Sequence, residues 1–331
     1  MNPALTSPGG KPLTEAERNA LLTLLADDDP VVAAGVRERL LSLGPEVIPW
    51  LRRLRLSDHP TLRRHAREIL THIGRLEADT RFLAYCLNHG DDLNLEEGVL
   101  LLAATRYPDL NPAAYRALLD QYAATVTEAA GDGPRGVEML EVMNRVLFRD
   151  LGFRGDREHY DALENHYFNR VLDRRLGNPI NLCALYWLVA RRLQLPIVGI
   201  DMPSHFLCRY QTTTESFFVD VFNQGRLLTR AQCVNCLQTS GYGFQESFLA
   251  PVSPRETLLR MCANLHQHHD WREGDRTGGS VSALSHRAVE TPPVNRGSAR
   301  RRQASSASCS TSTCAPKVIN SSPSSTMTAT C

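Results

Sequence analysis

Apolar positions recur at helical spacing along roughly the first 130 residues, and give way to strand-like alternation only near residue 196. The helical zone repeats itself. Asp29–Gly44 and His59–Gly74 align at an offset of 30 residues, matching Pro30 with Pro60, Arg37 with Arg67, Glu38 with Glu68, Leu40 with Leu70 and Gly44 with Gly74. Val36 and Ala66, and Leu43 and Ile73, keep apolar character at the same phase. Proline near the start and glycine past the end are helix boundary signals, so two helices over 30–43 and 60–73 are predicted, with their apolar faces buried together. Further helices are expected around Ala78–Asn88, Leu95–Thr105 and Pro112–Ala130. The unit resembles a HEAT-like pair, with a period shorter than is usual for that class.

Between about 131 and 272 the period changes. Helices are predicted near Gly136–Leu151, Leu163–Leu176 and Asn181–Leu193, then strands over Pro196–Asp201, His205–Tyr210 and Ser216–Val221. Helices near Thr229–Thr239 and Pro254–His269 close the zone. Helices followed by an antiparallel meander predict an α+β class. From 273 to 331 Ser and Thr dominate and no apolar period persists, so a disordered tail is expected. A linker-like tail and an out-of-frame sequence both fit that composition. The domain reading is therefore 1–130, 131–272 and 273–331.

Charge narrows the partners. The chain has 331 residues and a net charge of +1, so no global field favours nucleic acid or a membrane surface. Residues 51–81 carry eight Arg against four acidic residues. That stretch could meet an acidic partner or nucleic acid, but without interleaved aromatics an ion-paired helix surface explains it as well. No apolar run is long enough to span a bilayer, and Met1–Lys11 lacks an apolar signal core. A cytoplasmic location with reduced thiols is the expectation for the 9 scattered cysteines.

The chemistry-bearing motifs lie in one block. Asn144-Arg-Val-Leu-Phe, Gly152-Phe-Arg-Gly155, Asn169-Arg-Val-Leu-Asp-Arg-Arg175 and Gly177-Asn-Pro-Ile-Asn-Leu182 are followed by Pro203-Ser-His-Phe-Leu207 and Phe218-Val-Asp-Val-Phe222. This succession, over about 137–240, resembles the SirB-type subfamily of the transglutaminase-like superfamily. The resemblance implies a papain-like core: a Cys at the head of a helix, a His base on a following strand, and an Asp on the next strand that orients it. His205 and Asp220 match the last two. Pro179 stands where the enzymes carry Cys, and proline has no nucleophile. Asn178 is expected to cap the helix that Pro179 begins.

Cys183 lies one helical turn beyond Pro179 and is the alternative thiol, although its apolar neighbours suit a small core residue equally well. On an alternating strand Cys208 faces away from His205. Tyr160, with the segment Asn165–Tyr167, matches the stretch before the core helix, where lining the crevice and simple packing are both open. Cys233-x-x-Cys236 lacks a second ligand pair at metal spacing, so no metal and no cofactor are expected. Three functions follow. The first is a non-catalytic module with a protein-interaction or regulatory role, of the bacterial regulator type the SirB name suggests. The second is an amide or acyl hydrolase or transferase using Cys183, His205 and Asp220. The third is an acidic-partner or nucleic-acid binder using the Arg-rich repeats. The composition and motifs name no small-molecule substrate.

Overall fold

The computed structural model describes residues 13–272 apart from Asp28, and side chains up to residue 267. The predicted tail lies outside the described residues. The helices are α1 (Glu15–Leu25), α2 (Pro30–Ser42), α3 (Ile48–Leu54), α4 (Pro60–His89), α5 (Leu95–Arg106), α6 (Pro112–Ala130), α7 (Val137–Asn144), α8 (Phe168–Arg174), α9 (Pro179–Arg192), α10 (Arg230–Thr239) and α11 (Pro254–Arg272). Strands β1 (Arg154–Gly155) and β2 (Leu176–Gly177) pair in parallel. Strands β3 (Ile197–Ile200), β4 (Leu207–Gln211), β5 (Ser216–Asp220), β6 (Arg226–Leu228) and β7 (Pro251–Val252) form one antiparallel sheet in the order β6-β5-β4-β3-β7. Among the described residues no helix is long and apolar enough to cross a membrane.

Local chemistry explains most boundaries. Thr14 and Glu17 form a reciprocal capping box on α1, as Thr229 and Gln232 do on α10. Asp29, Asn94 and Asn111 cap α2, α5 and α6. Two expectations are corrected. The second repeat helix does not stop at Gly74 but continues as α4 to His89. A Cβ at Gly74 would lie 2.9 Å from Pro108 Cβ, so the glycine permits a close approach rather than ending the helix. The helix expected over Gly136–Leu151 is α7 followed by a wider π turn over Arg145–Asp150, where the Leu151 amide donates to the Val146 carbonyl at 2.8 Å.

Burial divides into three clusters. Val36, Leu40, Ala66 and Ile69 are buried together among α1–α4, while Leu43, Leu70 and Ile73 pack partly buried at the margin of the same cluster. The largest cluster surrounds α9, where eleven of fourteen residues are buried. It takes in α5–α8, α11 and one face of the sheet, through Ile197, Phe206, Cys208, Tyr210 and Val219. The opposite sheet face carries Ile200, Leu207 and Phe218 against Cys233 and Leu237 of α10. The sheet is thus covered on both sides, and α9 is the central element. At its C-terminal end Arg192 binds Glu96 at 2.8 Å and Asp120 at 2.6 Å, tying α9 to α5 and α6.

Leu40 is fully buried at the centre of the N-terminal cluster. Leu40→Ala is expected to cost about 2–5 kcal/mol in denaturant unfolding, since a cavity is left as well as the lost transfer free energy. A loss below about 1 kcal/mol would show that these helices do not rely on a shared core.

Candidate functional site

The site is assembled at the buried end of α9 and along the loops beside β4 and β5. Asn178 adopts an extended conformation, and its Oδ1 accepts from the Asn181 amide at 3.0 Å. Pro179 follows as the first helical residue and is buried. Asn181 Nδ2 donates to Asn178 Oδ1 at 3.1 Å and to the Asn165 carbonyl at 3.2 Å. Asn178 Nδ2 meets His166 Nδ1 at 3.2 Å. Asn165 Nδ2 in turn donates to the carbonyls of His159 (2.7 Å) and Tyr160 (3.2 Å), which fastens the preceding loop to the helix head. A chain of neutral amides therefore covers the N-terminus of α9.

His205 and Asp220 come together. His205 Nε2 lies 3.0 Å from Asp220 Oδ1, which leaves Nδ1 for any group outside the pair. The strand expected from His205 begins instead at Leu207. His205 sits in the turn before it, with its amide donating to the Met202 carbonyl at 3.0 Å and Ser204 at φ 60°. Tyr242 meets Ser204 through its hydroxyl. Asp220 closes β5, and Asn223 holds its carboxylate with the backbone amide at 3.2 Å and Nδ2 at 2.7 Å. Burial pushes the Asp220 pKa up, but the His205 hydrogen bond and charge and the Asn223 donors outweigh it, so the carboxyl stays below its ordinary range.

Cys183 is fully buried and lies in the central cluster. Its Sγ donates to the Phe206 carbonyl at 3.4 Å, while Cys208 Sγ donates to the Cys183 carbonyl at 3.5 Å. Burial, with Cys208 beside it, pushes the Cys183 thiol well above the usual range. Leu207 belongs to the opposite sheet face, so Cys208 points into the core and not toward α10. Cys233 is buried and Cys236 exposed on α10. Among the described residues no three His, Cys, Asp or Glu side chains gather as a metal site.

Tyr160 is partly exposed, and its ring meets Phe222 edge-on at 5.8 Å. Phe222 in turn presents itself edge-on to His205 at 6.2 Å. Phe222 also walls a cleft of about 430 Å³, together with Arg154, Asp156, Arg157, Asn223 and Gln224. A Cβ at Gly155 would lie 2.5 Å from the Phe222 ring, so glycine allows β1 to pass directly against it. Sequence reasoning singled out neither Asn223 nor Arg157. The Phe-x-Asp-x-Phe-Asn succession carried a signal for Asn223, because an Asn three residues after a functional Asp can turn back on it.

Comparison with known proteins finds similarity over the stretch that holds the site. Residues 113–263 match the family described as the transglutaminase-like superfamily. A UPF0162 protein of Xylella fastidiosa (strain 9a5c) is 32% identical over 182 residues, covering 53% of this chain and 65% of the relative. A UPF0162 protein of Pseudomonas aeruginosa is 29% identical over 204 residues, covering 60% of this chain and 73% of the relative. F-box only protein 21 of Homo sapiens is 34% identical over 137 residues, 39% of this chain but 21% of that protein. The chain thus spans about 65% of the length of the Xylella relative. No solved structure gives a significant match. Residues 113–263, which hold the site, are thus similar to a transglutaminase-like superfamily domain.

The Asp220 pKa supplies a pH test. Because the folded value is lowered, the carboxylate stabilises the fold above the unfolded value of about 4, and this is lost as pH falls through the folded value. Urea unfolding between pH 6 and 3 should show wild type losing stability more steeply than Asp220→Asn. Parallel curves would show that the carboxylate is not specifically held.

Proposed function

We propose that this chain is a SirB-type transglutaminase-like module that does not use thiol catalysis, and that its crevice serves recognition in a protein-interaction or regulatory role. The N-terminal helices are read as a HEAT-like array beside it, and the cytoplasm as its location. The observation that carries this reading is the head of α9. Its first residue is a buried proline, and the nearest thiol, Cys183, is sealed in the core, where it donates a hydrogen bond to the Phe206 carbonyl. A thiolate there would be a desolvated charge without a cationic partner, which costs several kcal/mol. The retained His205–Asp220 pair is an oriented imidazole with no attacking atom supplied by the protein. It can hold a polar ligand or move a proton on one.

A second reading is acyl or amide transfer with Cys183 as nucleophile. It draws on the retained pair and needs Cys183 to leave the core. One experiment separates the two. The purified chain is treated with a thiol alkylating probe and with a panel of acyl-donor electrophiles, and labelled sites are mapped in wild type, Cys183→Ala and His205→Ala. Alkylation at the exposed Cys236 serves as the internal positive control. The expected result is no label on Cys183 in the native protein and no labelling that depends on His205. Acyl labelling of Cys183 that disappears in both variants would overturn the reading in favour of an enzyme.

A further inference from the structure

We infer that the cleft beside the His205–Asp220 pair is an oxyanion site, built to take a carboxylate or phosphate group through the guanidinium of Arg157. The inference rests on the reading of the crevice as a recognition site and names its ligand chemistry. Arg157 is fixed from two sides. Its NH2 group binds Asn223 Oδ1, and its guanidinium carbon lies 5.8 Å over the Phe222 ring. The guanidinium is a planar fork of donors, the geometry that matches carboxylate and phosphate oxygens. These two contacts reduce the side-chain freedom that binding would otherwise cost.

The surrounding charges agree. Arg154 adds a second cation to the wall, and His159 lies at its rim. Two carboxylates also line the cleft, Asp156 and Glu158. Asp156 is already compensated: it is buried, it accepts from Arg174 at 3.2 Å and from the His159 amide at 3.0 Å, and these contacts hold its pKa below the ordinary value in spite of burial. Glu158 is exposed and stands as the opposing charge. With Asp156 neutralised by Arg174, the two arginines outweigh Glu158.

The position links the cleft to the pair. Asn223 holds Arg157 through one amide oxygen and Asp220 through its amide nitrogen and backbone N–H. Phe222 forms the cleft wall and reaches the His205 ring. A ligand with its anionic end on Arg157 would lay its next atoms along Phe222, the residue whose ring meets His205. At about 430 Å³ the cleft suits a side chain or a small acid.

The test uses the full chain at constant ionic strength, titrated separately with inorganic phosphate and with glutarate. Backbone amide NMR shifts of Arg157, Asn223 and Gln224 are followed. Saturable shifts with phosphate alone assign a phosphate-bearing ligand, and with glutarate alone a carboxylate-bearing one; either supports the site. Arg157→Gln should weaken binding at least about tenfold, as expected for losing a charge-assisted hydrogen bond. Glu158→Gln should tighten it, and Arg230→Gln, which lies on α10 and pairs with Glu246, should leave it unchanged. Arg157→Lys keeps the charge without the fork and should fall between, which guards against a folding defect in Arg157→Gln. No saturable shift with either anion, or Arg157→Gln binding like wild type, overturns the inference. Thiol labelling is read independently, so a reactive Cys183 would sink the non-thiol reading while leaving the anion result standing.

Discussion

A helix buried on all sides has to satisfy the amides of its own first turn inside the protein, because no water is there to do it. In this chain α9 is that helix, and much of the domain is arranged around the requirement. Asn178 supplies the cap, and Pro179 removes one of the amides that would otherwise need a partner. Asn181 and Asn165 extend the cap into the preceding loop. The β1–β2 pair brings Gly177 against Val171 and Leu182, where a Cβ would come within 2.8 Å of Val171 Cγ1. Gly177-Asn-Pro-Ile-Asn is thus one structural device: close approach, cap, donor removal and second amide.

The same device sets the chemistry. A helix N-terminus favours an anion only where one can reach its free N–H groups. Here neutral amides and a proline occupy that end, so its partial positive charge has no thiolate to stabilise. Cys183 lies deeper, where desolvation opposes ionisation and its thiol donates a hydrogen bond to a backbone carbonyl. The imidazole–carboxylate pair lies between the turn before β4 and the end of β5, where His205 keeps a partly exposed ring. The pair is oriented at this crevice, while the head of the helix presents proline and amides and the nearby thiol is sealed in the core.

Much of this was legible in the sequence, and the remainder was hidden for identifiable reasons. The helix expected around Pro112–Ala130 has those bounds, and the strands expected over Pro196–Asp201 and Ser216–Val221 appear as β3 and β5. Asn178, His205 and Asp220 were recognisable from their motifs. Gly74 misled because a glycine reads alike as a helix stop and as a place for close packing, and only the position of Pro108 distinguishes them. The π turn after Asn144 carries no periodic mark, since one extra residue shifts the apolar phase without breaking it. Strands of two or three residues, such as β1, β2, β6 and β7, are too short for alternation to register. Arg157 drew no notice because an isolated arginine has meaning only beside Phe222 and Asn223, which are 66 residues away for Asn223.

That long separation is bridged by the turn after β5, which does several jobs with few residues. Gln224 and Gly225 both have positive φ, and the Gly225 amide returns to the Asp220 carbonyl at 2.9 Å. Gly225 closes on Asn144, whose Nδ2 donates to its carbonyl at 3.0 Å, so the turn is anchored to the end of α7. A Cβ at Gly225 would meet Asn144 Oδ1 at 2.3 Å, so a side chain there, already strained by the positive φ, would displace the Asn144 amide. Between these fixed ends lie Val221, Phe222 and Asn223. Val221 faces the core, Phe222 the imidazole and the cleft, and Asn223 both the Asp220 carboxylate and Arg157. The geometry of the pair and that of the cleft therefore depend on one backbone turn, and neither can be rearranged without displacing the other.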